Sequence, residues 1–176
     1  MGNRHPSASP HGAYRCKGDD RWCVIAVFTD QEWASFCRVI GPQPWAKEER
    51  FQTLLGRVEH ADELDRLVES WTINYTPEEV MIMMQEAEVV AGVVRDIEDL
   101  MGRDPQMKAR GHYVLLDHPE TGPSTYDAAP FKLSLTPGKL RSPAPLLGQH
   151  NDSVYKQLLG FSDEEIARLV EEKVIY

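Results

Sequence analysis

The sequence predicts an α+β fold: a small, mostly antiparallel sheet with packed helices and a C-terminal helical tail. Three observations carry that expectation. Strand-like runs come first, helical stripes follow and further strand-like runs come after them, instead of strand and helix alternating as a parallel sheet requires. A turn at Gly18-Asp19-Asp20 separates two β-rich runs, which reads as a hairpin. Capping boxes at Thr29-Asp30-Gln31-Glu32, Thr76-Pro77-Glu78-Glu79 and Ser162-Asp163-Glu164-Glu165 mark helix starts, because each hydroxyl and each carboxylate satisfies a free backbone N–H.

Residues 1–12 are rich in proline and show no periodicity, so they read as an irregular lead-in that frays in the isolated chain. Tyr14 to Lys17 and Trp22 to Phe28 are the two hairpin runs. Behind Thr29, the residues Trp33, Phe36, Cys37 and Ile40 recur at helical spacing until Gly41-Pro42 stops the helix. Leu64, Leu67, Val68 and Trp71 form a second stripe. After Thr76, proline occupies a first-turn position where its missing N–H costs nothing, and Val80, Met83, Met84 and Ala87 continue the apolar face. The methionines there read as core filling, with an adaptable binding surface as the alternative.

Asp104-Pro105 opens a short helix to about Arg110. Tyr113 to Leu116 and Phe131 to Leu133 read as strands, joined by a Pro/Gly-rich turn region. Thr136 to Pro145 reads as a linker, and amphipathic helices are expected near Ser153–Leu159 and Asp163–Glu172. No internal repeat or low-complexity tract is visible.

Composition narrows the function classes. The net charge of -9 is spread along the chain, which argues against nucleic acid, since phosphate binding needs a basic stripe. No apolar run reaches membrane-spanning length, and MGNRHP is neither a signal nor a transit peptide. A soluble, cytoplasmic protein is expected. Cys16, Cys23 and Cys37 form an odd set without C-x-x-C and read as buried free thiols.

No nucleophile elbow G-x-S-x-G is present. A thiol hydrolase using Cys16 or Cys23 beside a histidine has no local support. The six histidines are dispersed without a helical i, i+4 pair, so no metal site is expected. No Gly-rich loop precedes a helix as a phosphate cradle would. Gly148-Gln149-His150-Asn151-Asp152 is the most suggestive polar cluster. Asn151 or Asp152 reads as the cap of the following helix, with a site-facing loop as the alternative.

Read as a string, the chain carries a more specific pattern. Gly2-Asn3-Arg4 with Pro10, then Tyr14 through Trp22, then Trp33, Gly41, Pro44-Trp45, Arg50-Phe51 and Gly56-Arg57 stand in a recurring order. Gln85-Glu86-Ala87, Ala91-Gly92, Asp104-Pro105-Gln106 and Arg110-Gly111 follow. Pro143 through His150 and Leu159-Gly160-Phe161-Ser162 close the series. In this order the chain resembles the C-terminal half of the family III CoA-transferases, the group with formyl-CoA transferase, carnitine CoA-transferase and alpha-methylacyl-CoA racemase.

The resemblance implies a whole protein of α/β type, with a Rossmann-like large domain, a small domain and interlocked subunits. Residues 1–135 would be the small domain, and 136–176 the linker and the tail that returns to the large domain. It also implies an aspartate that attacks an acyl-CoA thioester and passes CoA to a second carboxylic acid. That aspartate lies in the half this chain does not match, so no residue here inherits a catalytic role and the chain alone is expected to be inactive. The coenzyme A thioester is the family substrate, and no cofactor is expected on this chain by itself.

The small-domain loop presented to the acyl end corresponds to Ser7, Ala8, Ser9, Pro10 and His11. A homodimer, or a chain carrying the N-terminal half, is the implied partner. A stand-alone binding or oligomerisation module derived from the family is the alternative. Three departures stand out. His5-Pro6-Ser7-Ala8-Ser9 replaces the glycine run of formyl-CoA transferase, which argues against formate–oxalate specificity. Glu88-Val89-Val90 replaces a usual Gly-Val-Pro, which predicts an altered turn. Met1 falls where many relatives carry an internal Met-Gly-Asn.

Overall fold

Alternation along the first hairpin decides the core. Strands β1 (His11–Arg15) and β2 (Trp22–Ala26) pair antiparallel with Tyr14 opposite Cys23, and β3 (Val90–Val94) pairs antiparallel with the other edge of β2, Ile25 opposite Ala91. The order is therefore β1-β2-β3. Side chains alternate across a pleated sheet, so Tyr14, Cys23, Ile25 and Ala91 turn to one face and are buried. Val24, Val90 and Val94 belong to the opposite face and stay exposed.

The buried face is covered by helices. α1 spans Asp30–Ile40, α2 Leu54–Glu59, α3 Ala61–Thr72 and α4 Pro77–Glu86, with two short 3-10 turns at Pro44–Lys47 and Glu49–Phe51. Phe36, Phe51, Leu64, Val68, Val80 and Met84 are fully buried in one cluster with the sheet residues. Met84 thus fills core, as the stripe after Thr76 predicts. All three capping boxes form, with Glu32, Glu79 and Glu165 reaching back to the cap backbone.

The computed structural model describes residues 2–175 and divides into two units, one ending at Ile97 and one beginning at Glu98. The second unit contains a π-helical turn at Asp99–Arg103, helix α5 (Pro105–Arg110) and the antiparallel hairpin of β4 (Tyr113–His118) with β5 (Gly122–Asp127). A π-helical segment at Asp152–Leu158 and helix α6 (Asp163–Glu171) follow. Among its described residues only Asp99, Asp104 and Ile175 are buried. Asp104 caps α5 by accepting from the Gln106 and Met107 N–H groups. The architecture is α+β, with two small antiparallel sheets.

Several expectations shift. The first strand begins at His11, ahead of Tyr14, because His11-Gly12-Ala13 pairs with Val24-Ile25-Ala26 despite lacking apolar alternation. The partner of β4 is Gly122–Asp127 and not Phe131–Leu133; Phe131 and Leu133 lie in irregular, exposed chain. A turn beginning after His118 lets the strand return at once, which the polar sequence GPSTYD hides.

The turn after α4 closes without a glycine. Glu88 takes φ 63°. The Val89 N–H bonds to Met84 O at 2.9 Å and the Glu88 N–H to Gln85 O at 3.0 Å, which is a Schellman closure. A side chain in this left-handed region costs about 1–2 kcal/mol. Glycine would remove that cost but would loosen the unfolded chain by about 0.5–1 kcal/mol. Glu88→Gly is therefore expected to raise stability by about 0.5–1 kcal/mol in chemical denaturation. A loss of stability would contradict the left-handed assignment.

Candidate functional site

The segment before β1 is fixed in place rather than frayed. Ala8, Ser9 and Pro10 are buried, and the Ser9–Pro10 peptide is cis. The Ser9 N–H donates to Val27 O and the Val27 N–H to Pro10 O, both at 2.9 Å, so the loop continues the β1–β2 ladder. His5 and Ala8 form an isolated bridge, and the Ser7 N–H donates to His5 Nδ1 at 3.1 Å.

One side chain holds this loop to the helices. The Arg57 side chain is wholly buried. Its Nε donates to Ser9 O at 2.9 Å, Nη1 to Phe51 O at 3.1 Å and Nη2 to Asp30 Oδ1 at 2.9 Å. The guanidinium lies 4.9 Å from the Trp33 ring centre, in cation–π contact. Ser9 Oγ returns a bond to Arg57 O at 3.0 Å. Burial pulls the guanidinium pKa down, and the Asp30 carboxylate opposes that shift. Gly56 beside it is required by space: an added Cβ would meet Arg50 O at 2.1 Å.

The outer surface of the loop carries a ring cluster. His5, His11 and Phe28 have centroids 5.4–6.0 Å apart. Next to it, Arg4 pairs with Asp62 and Asp65, and Tyr14 donates to Asp65 at 2.8 Å. Burial raises the Tyr14 phenol first and the Asp65 charge raises it further, so it stays a neutral donor. Burial also raises the Asp65 carboxyl, opposed by the Tyr14 hydrogen bond.

Two clefts meet at His11. A polar one of about 360 Å³ is lined by Arg4, Tyr14, Asp65 and Arg66 among others. An apolar one of about 280 Å³ is lined by Ala13, Val24, Ala26 and Val90, with Asn3 and His11 at its rim. Of the candidate loop residues, Ser7 is exposed, His11 is half-buried and lines both clefts, and Ala8, Ser9 and Pro10 act as its buried anchor.

The nearby carboxylates Asp30, Asp62 and Asp65 each face an arginine. Cys16 and Cys23 are both buried thiols, so neither is exposed as a hydrolase nucleophile beside a histidine would be. Among the described residues no cluster of three His, Cys, Asp or Glu could hold a metal ion, and no helix is long and apolar enough to cross a membrane. Around Gly148–Asp152, Asn151 makes no side-chain cap bond; Gln149 accepts from the Leu146 N–H instead, at 2.7 Å. Sequence reasoning missed Arg57 and Arg4 as the residues that organise the loop. The only signals were Gly2-Asn3-Arg4 and Gly56-Arg57 within the recurring family order.

The first unit is thus an α+β body in which a loop anchored by a buried arginine lies between two clefts. The CoA-transferase family III model matches residues 1–151, and the chain belongs to that family. It is 36% identical over 180 residues to the probable CoA-transferase Rv1866 of Mycobacterium tuberculosis, covering 98% of this chain and 22% of that protein. It is 33% identical over 174 residues to the succinyl-CoA–D-citramalate CoA-transferase of Chloroflexus aurantiacus, covering 99% of this chain and 43% of that protein. A solved CAIB/BAIF family protein from Brucella suis superposes with a TM-score of 0.76 at 28% identity, over 90% of this chain and 40% of that one. The chain thus spans less than half the length of the relatives it matches.

Proposed function

We propose that this chain is the C-terminal part of a CoA-transferase that moves CoA between carboxylic acids, with the attacking aspartate supplied from outside these 176 residues. The family match over residues 1–151, at under half of the relatives' length, carries this reading. In the reaction an aspartate carboxylate attacks the thioester carbonyl and expels the CoA thiolate, leaving a mixed anhydride. The thiolate then attacks the aspartyl carbonyl, which releases the donor carboxylate and leaves an aspartyl-CoA thioester. The acceptor carboxylate attacks that thioester, and the expelled thiolate takes the acceptor's acyl group from the new anhydride, freeing the aspartate. Splitting one acyl transfer in two lowers each barrier. This chain contributes the Ser7–His11 loop, held by Arg57, toward the acyl end. It works in the cytoplasm and binds no cofactor of its own.

Backbone NMR with acyl-CoA tests the loop's role. Chemical-shift changes at Ser7 and His11 are expected. Changes confined to other regions, with none from Ser7 to His11, would contradict it.

A second reading, an oligomerisation module, is favoured by one observation. Leu133, Leu135, Leu147, Leu158, Leu159 and Val174 of the second unit are all at least half exposed. Each apolar side chain buried is worth about 1.5–3 kcal/mol, so such a surface tends to find a partner. A two-fold pairing of two chains is the commonest closure. Light scattering is expected to give a dimer for the full chain and a monomer for a version ending at Ser142. Monomers in both cases would contradict the dimer.

A further inference from the structure

We propose that the apolar cleft beside His11 receives the hydrocarbon portion of the acyl group, so that the thioester this chain helps bind carries an uncharged aliphatic acyl chain. The inference rests on the reading that the Ser7–His11 loop faces the acyl end. The cleft floor is built from two rows across the sheet. His11, Ala26 and Val90 form one row, and Ala13, Val24 and Gly92 the next. Small residues in both rows leave a trough between the valines. Val24 is 43% exposed and Val90 57% exposed, so the trough is open to a ligand.

Charge decides the class of ligand. The lining residues are Asn3, His11, Gly12, Ala13, Val24, Ile25, Ala26 and Val90, with no lysine or arginine among them. A carboxylate in the trough would lose water and meet no lysine or arginine, which is costly. The arginines near the loop lie across His11: Arg4 and Arg66 line the polar cleft, and Arg4 is held by Asp62 and Asp65. A dicarboxylic acyl group therefore fits the trough poorly, whereas each methylene of an aliphatic chain gains about fourfold in affinity on burial.

The test is methyl and amide NMR on the 176-residue chain with butyryl-, hexanoyl- and succinyl-CoA. Hexanoyl-CoA is expected to shift the Val24 and Val90 methyls and, with two more methylenes, to bind about fifteenfold tighter than butyryl-CoA. Succinyl-CoA is expected to leave those methyls unmoved. Val24→Asp is expected to erase the chain-length dependence while keeping the shifts at Ser7 and His11. Equal methyl shifts from succinyl-CoA, or no chain-length dependence in the unaltered chain, would overturn the inference. Loop shifts without methyl shifts would overturn it and leave the loop reading standing. No shift at either place would overturn both.

Discussion

Replacing Arg57 with alanine is expected to cost about 3–5 kcal/mol of folding stability, the range seen when one partner of a buried ionic network is removed. The change strips hydrogen-bond donors from Ser9 O and Phe51 O and removes the cation over Trp33. Each buried acceptor left without a partner costs about 1–3 kcal/mol. Asp30→Asn should cost far less, about 1 kcal/mol or below, because the Asp30 side chain is 62% exposed and water replaces the lost charge. Arg57→Lys keeps the charge but cannot reach three acceptors from one nitrogen, so it should fall between the two. Chemical denaturation followed by tryptophan fluorescence measures all three. Hydrogen exchange adds a local readout, since the Ser9 amide should lose protection in Arg57→Ala. A loss below 1 kcal/mol in Arg57→Ala would mean that the loop is held by its ladder with Val27 alone.

What the sequence discloses about this fold follows from where the information is local. Capping boxes are local, so the starts of α1, α4 and α6 are readable from Thr29, Thr76 and Ser162. The hairpin of β1 and β2 is nearly local as well. Strand β3 is not: Val90–Val94 has no alternation to announce it, and its register exists only through β2. Helix α2 is short and built on Thr53 capping the Gly56 N–H, a bond without the reciprocal acid of a full box. The strand pairing of β5 is masked because Gly122–Asp127 has few apolar residues to bury.

The candidate site was legible by pattern and opaque by physics. Ser7 to His11 could be marked through family resemblance, yet composition pointed to a fraying terminus. The loop is ordered because Arg57, more than forty positions away in sequence, donates to Ser9 O. Arginine is ordinarily an outward-facing residue, so no periodicity rule places it at the centre of a core. The left-handed Glu88 is a related case. The position was visible as a departure, but the Schellman bonds to Met84 and Gln85 hold the turn without glycine.

The largest functional effect expected is the difference between this chain alone and this chain with the rest of a family III enzyme. Alone it should show no CoA transfer, because Asp30, Asp62 and Asp65 beside the loop each pair with an arginine and the relatives are more than twice its length. A supplied partner carrying the family's remaining portion should bring turnover, with the acyl-aspartyl species on the partner. CoA exchange between an acyl-CoA donor and an isotopically labelled carboxylic acid, followed by mass spectrometry, measures this directly, with hydroxylamine to trap the anhydride. The expected result is no exchange and no trapped adduct on the purified chain. Turnover by the purified chain, abolished by replacing one of its own aspartates, would contradict it.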